Sequence, residues 1–446
     1  MRLIRLMLLP VLLIAQLALI ANPGYSSHDE LEFLARADVP WSALPWFPWF
    51  DVSPLQYRPL ALNLWLVLAH AVGKTPWQMH LAVVVLGTAN AWLLARVLRA
   101  ADVTGRVAFA AAVVFVLSPF VAYVHGWTGT LADLLTLAFG LIAARCIQLA
   151  AAASSGTTAA AYALACATAV GLALLSKESA IVLPALLLLV ALRDIAQGAV
   201  RLAIALGAAL VLAYLVVRLP VLANSAVLDP AYAWSLRHVP ARLVEYVLYP
   251  FMPPLFEVAP LLSKSTARIA AAAGCVVLML GALSTAGWRW PLAWLASFCA
   301  ALAPVLVLAI SYNQYAYLAS ASAIAISAAA WSRLAPRART TLLALAAIVV
   351  LHGIIVMGRL HGVGVVQRNL CGDLVANLAQ APGTLRILAA DPSDAWLPRR
   401  LLNGVVAWRG VPFDGRVRFD DAPADRLLWM DRDGHLHPGG TPLTPH

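Results

Sequence analysis

Residues 21–60 read ANPGYSSHDELEFLARADVPWSALPWFPWFDVSPLQYRPL, and their reading decides the fold. They carry His28, Asp29, Glu30, Glu32, Arg36, Asp38, Asp51 and Arg58, interleaved with Trp41, Trp46, Phe47, Trp49 and Phe50. A single apolar run, residues 4–21, precedes them, and a chain made almost wholly of apolar runs follows. Charges this dense between membrane helices are costly unless they work at the interface or in a cavity. The stretch therefore reads as a loop at the membrane surface, with the Trp41–Phe50 aromatics resting at the interface.

Composition decides the class. The chain has 446 residues, of which 62% are hydrophobic and 12% charged, with mean hydropathy +0.82. No water-soluble fold of this length needs so much apolar surface, so this is a polytopic membrane protein. The runs are long, rich in Leu and Ala, and lack the alternation of a membrane β-barrel, which leaves α-helices. The net charge of +10 is no nucleic-acid signal, because most Arg residues stand at the ends of apolar runs. There they set topology and meet anionic headgroups. Cys146, Cys166, Cys275 and Cys299 fall in expected helices and Cys371 just after the last. No CxxC and no His/Cys cluster points to a metal or a disulfide framework.

Apolar runs near ~20 residues give the spans. Arg2 and Arg5 place the start of a retained first helix, residues 4–21, inside, and so the first loop outside. Residues 59–73 are short and hold Asn63 and His70; they are laid along the interface. Spans are then expected at 77–98, 107–123, 129–150, 158–175, 180–196, 202–219, 266–287, 291–311, 315–332 and 341–358. With the first helix this makes about eleven. The short turns that are basic then fall inside, except the one holding Lys177. Two long outside segments emerge, residues 21–76 and residues 220–265, the second with a short interfacial helix at 242–252. The membrane domain is expected to cover residues 1–358. Residues 359–446 change composition and hold strand-like runs at 384–390, 404–410, 416–420 and 425–431. Asp433-Gly434 suggests a hairpin after the last. A small outside α/β or β domain is predicted there.

Several outside residues could carry chemistry. Asp29 and Glu30 lie just beyond the first helix, where a carboxylate can act as general base toward a hydroxyl. The plainer reading is a helix cap using Ser26, Ser27 or Asp29 ahead of ELEFLARA. Arg58 and Lys177 abut apolar helices at the depth where a lipid phosphate would sit. Interfacial snorkelling and a Lys177–Glu178 ion pair are the plainer readings. Asp133, near the outer end of its helix, is a functional candidate because ionisable residues there are costly. His125 and His238 are isolated and weak.

The order of short motifs resembles the GT-C class of membrane glycosyltransferases, in particular its tetratricopeptide-linked O-mannosyltransferase-like branch. Asp29-Glu30 follows the first helix. Tyr57-Arg58-Pro59-Leu60 is similar to a YRPL motif. Residues 127–135 (WTGTLADLL) resemble a tryptophan segment ending in Asp-Leu-Leu. Ser176-Lys177-Glu178-Ser179 with Pro184 resembles an SKES-and-proline segment, and residues 315–320 (YAYLAS) a tyrosine-rich motif. The resemblance covers residues 1 to about 335. It implies a polyprenyl-phosphate-linked sugar donor, inversion at the sugar, and a divalent cation in some members only. By it, Asp29, with Glu30 beside it, would be the base. Arg58 and Lys177 would hold the lipid phosphate, and Tyr57, His125, Asp133, Glu178, Tyr315 and Tyr317 would complete the substrate site. It also implies a bacterial inner membrane, with the active-site loops and C-terminus periplasmic, and a periplasmic glycan, lipid or protein as acceptor.

The chain departs from the pattern at Ser118-Pro119, where the class has His-Pro, and at Tyr123, where it has glutamate. Leu131 stands where a basic residue is expected and Asn313-Gln314 where Glu-Arg is. A flippase of lipid-linked saccharides would instead show polar residues at mid-depth. A degenerate scaffold would bind glycolipid or a partner without turnover. The deciding expectation is geometric: Asp29, Arg58, Asp133 and Lys177 should converge on one cavity beneath residues 220–265.

Overall fold

A computed structural model describes residues 9–224, 227, 232–380, 383–419 and 424–439. Arg2 and Arg5, on which the starting orientation rests, lie outside these, as does Asp229.

The described part of the first helix, residues 9–14, turns at Ala15–Gln16 and leads into α1 (Leu17–Ile20). The loop after it is structured. α2 (His28–Ala37) begins with a capping box, Ser27 at the N-cap and Glu30 three residues on. α3 (Pro59–Val72) opens on a proline and has 14 residues, about 21 Å, short of a ~30 Å hydrocarbon core. Its embedded polar residues hold the loop. Asn63 exchanges two hydrogen bonds with the Phe47 backbone, at 2.8 and 2.9 Å, and the His70 ring meets the Ala37 carbonyl at 3.1 Å.

α4 (Pro76–Ala100) follows, then α5 (Gly105–Val116) and α6 (Pro119–Gly126). The expected continuous span at 107–123 is bent by 61° between these two. Pro119 lacks the N–H that would continue the ladder and drives Ser118 out of the helical region. α7 (Leu131–Ala152), α8 (Gly156–Leu174), α9 (Leu183–Ala191) and α10 (Gly198–Ala223) come next. The expected span at 180–196 is shorter than predicted: a 3-10 turn, Glu178–Val182, precedes the nine residues of α9. The second long segment holds α11 (Val239–Leu248), close to the predicted interfacial helix. α12 (Thr266–Ser284), α13 (Arg289–Leu306), α14 (Tyr317–Ala330) and α15 (Pro336–Gln380) complete the bundle.

Among the described residues seven helices are long and apolar enough to cross a membrane, or eight with the bent pair. The chain is a multi-pass, mainly helical membrane protein. The last helix was expected to stop at 358; α15 runs 45 residues, to Gln380, about 68 Å. No Pro interrupts it after Pro336, so nothing local stops it where hydropathy falls. Cys371, expected beyond the helix, is buried within it. Small residues let neighbours approach α15. A Cβ on Gly353 would lie 1.8 Å from the Leu117 carbonyl oxygen at the α5–α6 break, and one on Gly364 1.7 Å from the Asn22 amide oxygen.

Beyond α15 lie β1 (Leu385–Ala389), α16 (Trp396–Leu402), β2 (Ala407–Trp408), β3 (Val411–Pro412), β4 (Val417–Arg418), β5 (Arg426–Met430) and β6 (Leu436–Pro438). The four-stranded sheet has order β4-β1-β5-β6, with β1 parallel to both neighbours. β5 and β6 form the hairpin that Asp433-Gly434 predicts; Gly434 has φ +89°. Leu385, Ile387, Leu428 and Met430 bury one sheet face, and α16 packs against α2.

Candidate active site

α2, the start of α3, the start of α7 and the turn after α8 meet around a cavity of about 320 Å³. Asp29, Arg58, Asp133 and Lys177 all line it, and Tyr232 of the second long segment closes it. The convergence expected from sequence is therefore present.

Each charged group arrives by a local device. The capping box starts α2 so that Asp29 falls in its first turn, where free backbone N–H groups favour a negative charge. Asp29 is half-exposed and meets the His28 ring at 2.9 Å. Arg58 is the N-cap residue of α3, and its Nε donates to Glu178 at 2.9 Å. Lys177 stands in extended backbone between α8 and the 3-10 turn. Its ammonium donates to Asp133 at 2.5 Å and lies 5.0 Å from the centre of the Tyr315 ring. Desolvated charges of this kind persist only when paired.

A second cavity of about 310 Å³ adjoins the first. It shares Gln56, Arg58, Lys177, Tyr232 and Tyr315 with it; its other walls are mostly apolar, including Leu219, Leu222, Val305 and Leu308. A polar chamber and an apolar one thus meet at Arg58 and Lys177. Among the described residues, three buried polar atoms on these walls have no hydrogen-bond partner: Trp127 Nε1 and Gln314 Oε1 in the polar chamber and Glu178 Oε1 in the apolar one.

Other residues read as site candidates fall elsewhere. Glu30 is fully buried and accepts from the Ser26 and Ser27 amides at 2.6 and 3.0 Å. It also accepts from the Thr128 amide and hydroxyl at 2.7 and 2.5 Å. Burial pushes its carboxyl up to about 7 against these donors. Both oxygens are engaged, so the cap reading describes Glu30 and the base reading does not. His125 and Tyr317 are buried scaffold: the His125 ring bridges Gln16 Oε1 at 2.6 Å and the Tyr317 hydroxyl at 2.9 Å. Asn90 donates to that hydroxyl at 3.2 Å. Tyr57 donates to the Trp49 carbonyl at 2.5 Å and lines neither chamber. Trp41, Trp46, Trp49 and Phe50 are exposed, whereas Phe47 turns in to line the polar chamber.

Sequence reasoning missed Arg218. It is fully buried in α10, donates to the Val52 and Leu55 carbonyls, and stands 5.5 Å from the Tyr57 ring. It thereby fixes the segment before Arg58. The signal was a lone arginine inside a long apolar run, which is costly without a partner. Gln56, donating to the Tyr232 hydroxyl at 2.9 Å, had no such signal. Among the described residues no group of three His, Cys, Asp or Glu could hold a metal ion. Asp133 and Glu178 are already paired to cations. These residues do not fit the divalent cation that the resemblance allows.

No family model matches the chain, and no curated protein matches it. Solved structures do. ArnT from Cupriavidus metallidurans bound to undecaprenyl phosphate matches with TM-score 0.52 at 15% identity, over 89% of this chain and 84% of that one. The oligosaccharyltransferase of Archaeoglobus fulgidus tethered with an acceptor peptide matches with TM-score 0.44 at 12% identity. That match covers 89% of this chain but 63% of the other. The chain has the GT-C fold, which ArnT shares.

Proposed function

We propose that the protein is a membrane glycosyltransferase that moves a sugar from a polyprenyl-phosphate donor to an acceptor, with Asp29 as general base. The observation that carries this is the meeting of the two chambers at Arg58 and Lys177. The apolar chamber takes the prenyl chain nearest the phosphate. Arg58 and Lys177 receive the phosphate and stabilise the charge that develops as the sugar leaves. The polar chamber takes the sugar and the acceptor hydroxyl, whose proton passes to Asp29 as its oxygen attacks the anomeric carbon. The resting pairs Arg58–Glu178 and Lys177–Asp133 keep the cations partnered until the phosphate arrives. ArnT, a chain of this fold, was solved bound to undecaprenyl phosphate.

In this reading the site faces the periplasm of a bacterial inner membrane, and the acceptor is a periplasmic glycan, lipid or protein. The test is transfer of a labelled sugar from a polyprenyl-phosphate donor in proteoliposomes. Asp29→Asn and Lys177→Ala each abolish most of the transfer; wild-type rates in both variants overturn the mechanism.

A further inference from the structure

Arg400 lies outside both chambers, in α16, yet it meets three segments of the membrane bundle at once. Its Nε donates to the Ser26 carbonyl at 2.8 Å. One terminal nitrogen donates to Glu257, and the other to the Tyr123 hydroxyl at 2.8 Å. The guanidinium stands 5.8 Å from the Phe256 ring centre and 5.7 Å from that of Trp396. Its side chain is 16% exposed. A rigid planar fork satisfies three converging acceptors in a way that a lysine, a point donor, does not.

The contacts continue toward the cavity. Ser26 is held on both sides, its carbonyl by Arg400 and its amide by Glu30. Two residues on, the His28 ring faces two groups that only accept: Nδ1 meets the Arg400 carbonyl at 3.0 Å and Nε2 meets Asp29 at 2.9 Å. A ring protonated on both nitrogens satisfies both contacts, and the hydrogen bond to Asp29 favours that form by raising the His28 pKa. The charged groups acting on it are Asp29 and Glu32 on α2, while Arg400 of α16 meets it through its backbone carbonyl.

We propose that Arg400 is a positioning residue for Asp29: through its carbonyl and His28, the C-terminal region sets how the Asp29 carboxylate faces the cavity. This rests on the transferase reading above. Docking of α16 alone is already served by Leu397, Leu401 and Leu402, which are buried in the core. The guanidinium adds orientation rather than apolar contact: its bonds to Ser26, Glu257 and Tyr123 place the backbone carbonyl that meets His28, so Arg400→Ala keeps that carbonyl but loses what places it. Asp29 is half-exposed on a ten-residue helix, so little else holds its side chain.

The experiment compares Arg400→Ala, Arg400→Lys, His28→Gln and the double variant Arg400→Ala/His28→Gln. Arg400→Ala and His28→Gln each lower kcat about ten- to hundredfold, the range for a displaced catalytic group, and leave KM for the polyprenyl-phosphate donor unchanged. The double variant falls no lower than the worse single one, because the two residues act in one chain of contacts. Arg400→Lys recovers little. In protein labelled with 15N-histidine, the pH at which the His28 signal loses its second proton falls in Arg400→Ala. Losses that multiply in the double variant, a wild-type kcat in Arg400→Ala, or an unchanged His28 signal each overturn the inference. Should Arg400→Ala fail to fold, Arg400→Lys keeps the stem and is read the same way. If the wild-type protein transfers no sugar, the proposed activity falls, and the His28 signal alone decides whether Arg400 acts through His28.

Discussion

Lys177 donates to Asp133 at 2.5 Å, and the two side chains are 5% and 9% exposed. They come from the start of α7 and the turn after α8. Each neutralises a charge that the other could not bear alone in so dry a place.

Breaking this pair one side at a time should therefore cost more than removing both. Asp133→Asn or Lys177→Met alone leaves a buried charge and costs about 3–5 kcal/mol. The double variant should be the more stable protein, yet still fail to bind polyprenyl phosphate. Thermal unfolding in detergent, with lipid-phosphate binding alongside, measures both.

Asp29→Asn keeps the shape of the side chain and removes its basicity. Turnover should fall by about 10²–10⁴, while donor affinity stays near wild type. A fall in donor affinity with turnover at saturation intact would place Asp29 in binding instead.

Glu30→Gln tests the neighbouring carboxylate as scaffold. One amide oxygen cannot serve four donors, and the new NH2 faces N–H groups. The unfolding temperature should drop by an amount equivalent to about 2–3 kcal/mol. Turnover per folded molecule should hold.

The His28 ring makes the site pH-sensitive. Its hydrogen bond to Asp29 holds its pKa above the usual 6.5. A raised folded value means that the contribution is complete below 6.5 and is lost as pH rises through that raised value. Turnover should therefore decline as pH rises through that raised value, and His28→Gln should lack that limb. A rate profile from acid to alkaline pH in both proteins decides it.

The apolar chamber should read lipid length. Ala223 lines it and is itself exposed, so Ala223→Trp fills space without opening a core. Binding of a long polyprenyl phosphate should weaken about tenfold, or ~1.4 kcal/mol. A short-chain phosphate that does not reach past Arg58 should bind as before.

Much of this protein is written locally. Long Leu- and Ala-rich runs can only be membrane helices, because backbone polar groups in lipid must be satisfied within the segment. Strand-like runs and Asp433-Gly434 marked the small sheet for the same local reason. Asp29, Arg58, Asp133 and Lys177 stood out because charge beside apolar helices is costly, and that cost does not depend on the fold. What surrounds each charge is a matter of distant segments, and there the tertiary structure decided. Asp29 and Glu30 are adjacent in sequence, yet the first turn of α2 points one at the cavity and the other at Thr128. His125 and Tyr317 looked like site residues until α6 and α14 were seen to bury them against each other. Arg218 read as part of a span until the loop it holds was placed beside it. Local periodicity and hydropathy report the cost of placing a group in the membrane. Which partner offsets that cost is set by packing between helices far apart in the chain, which no window of sequence contains.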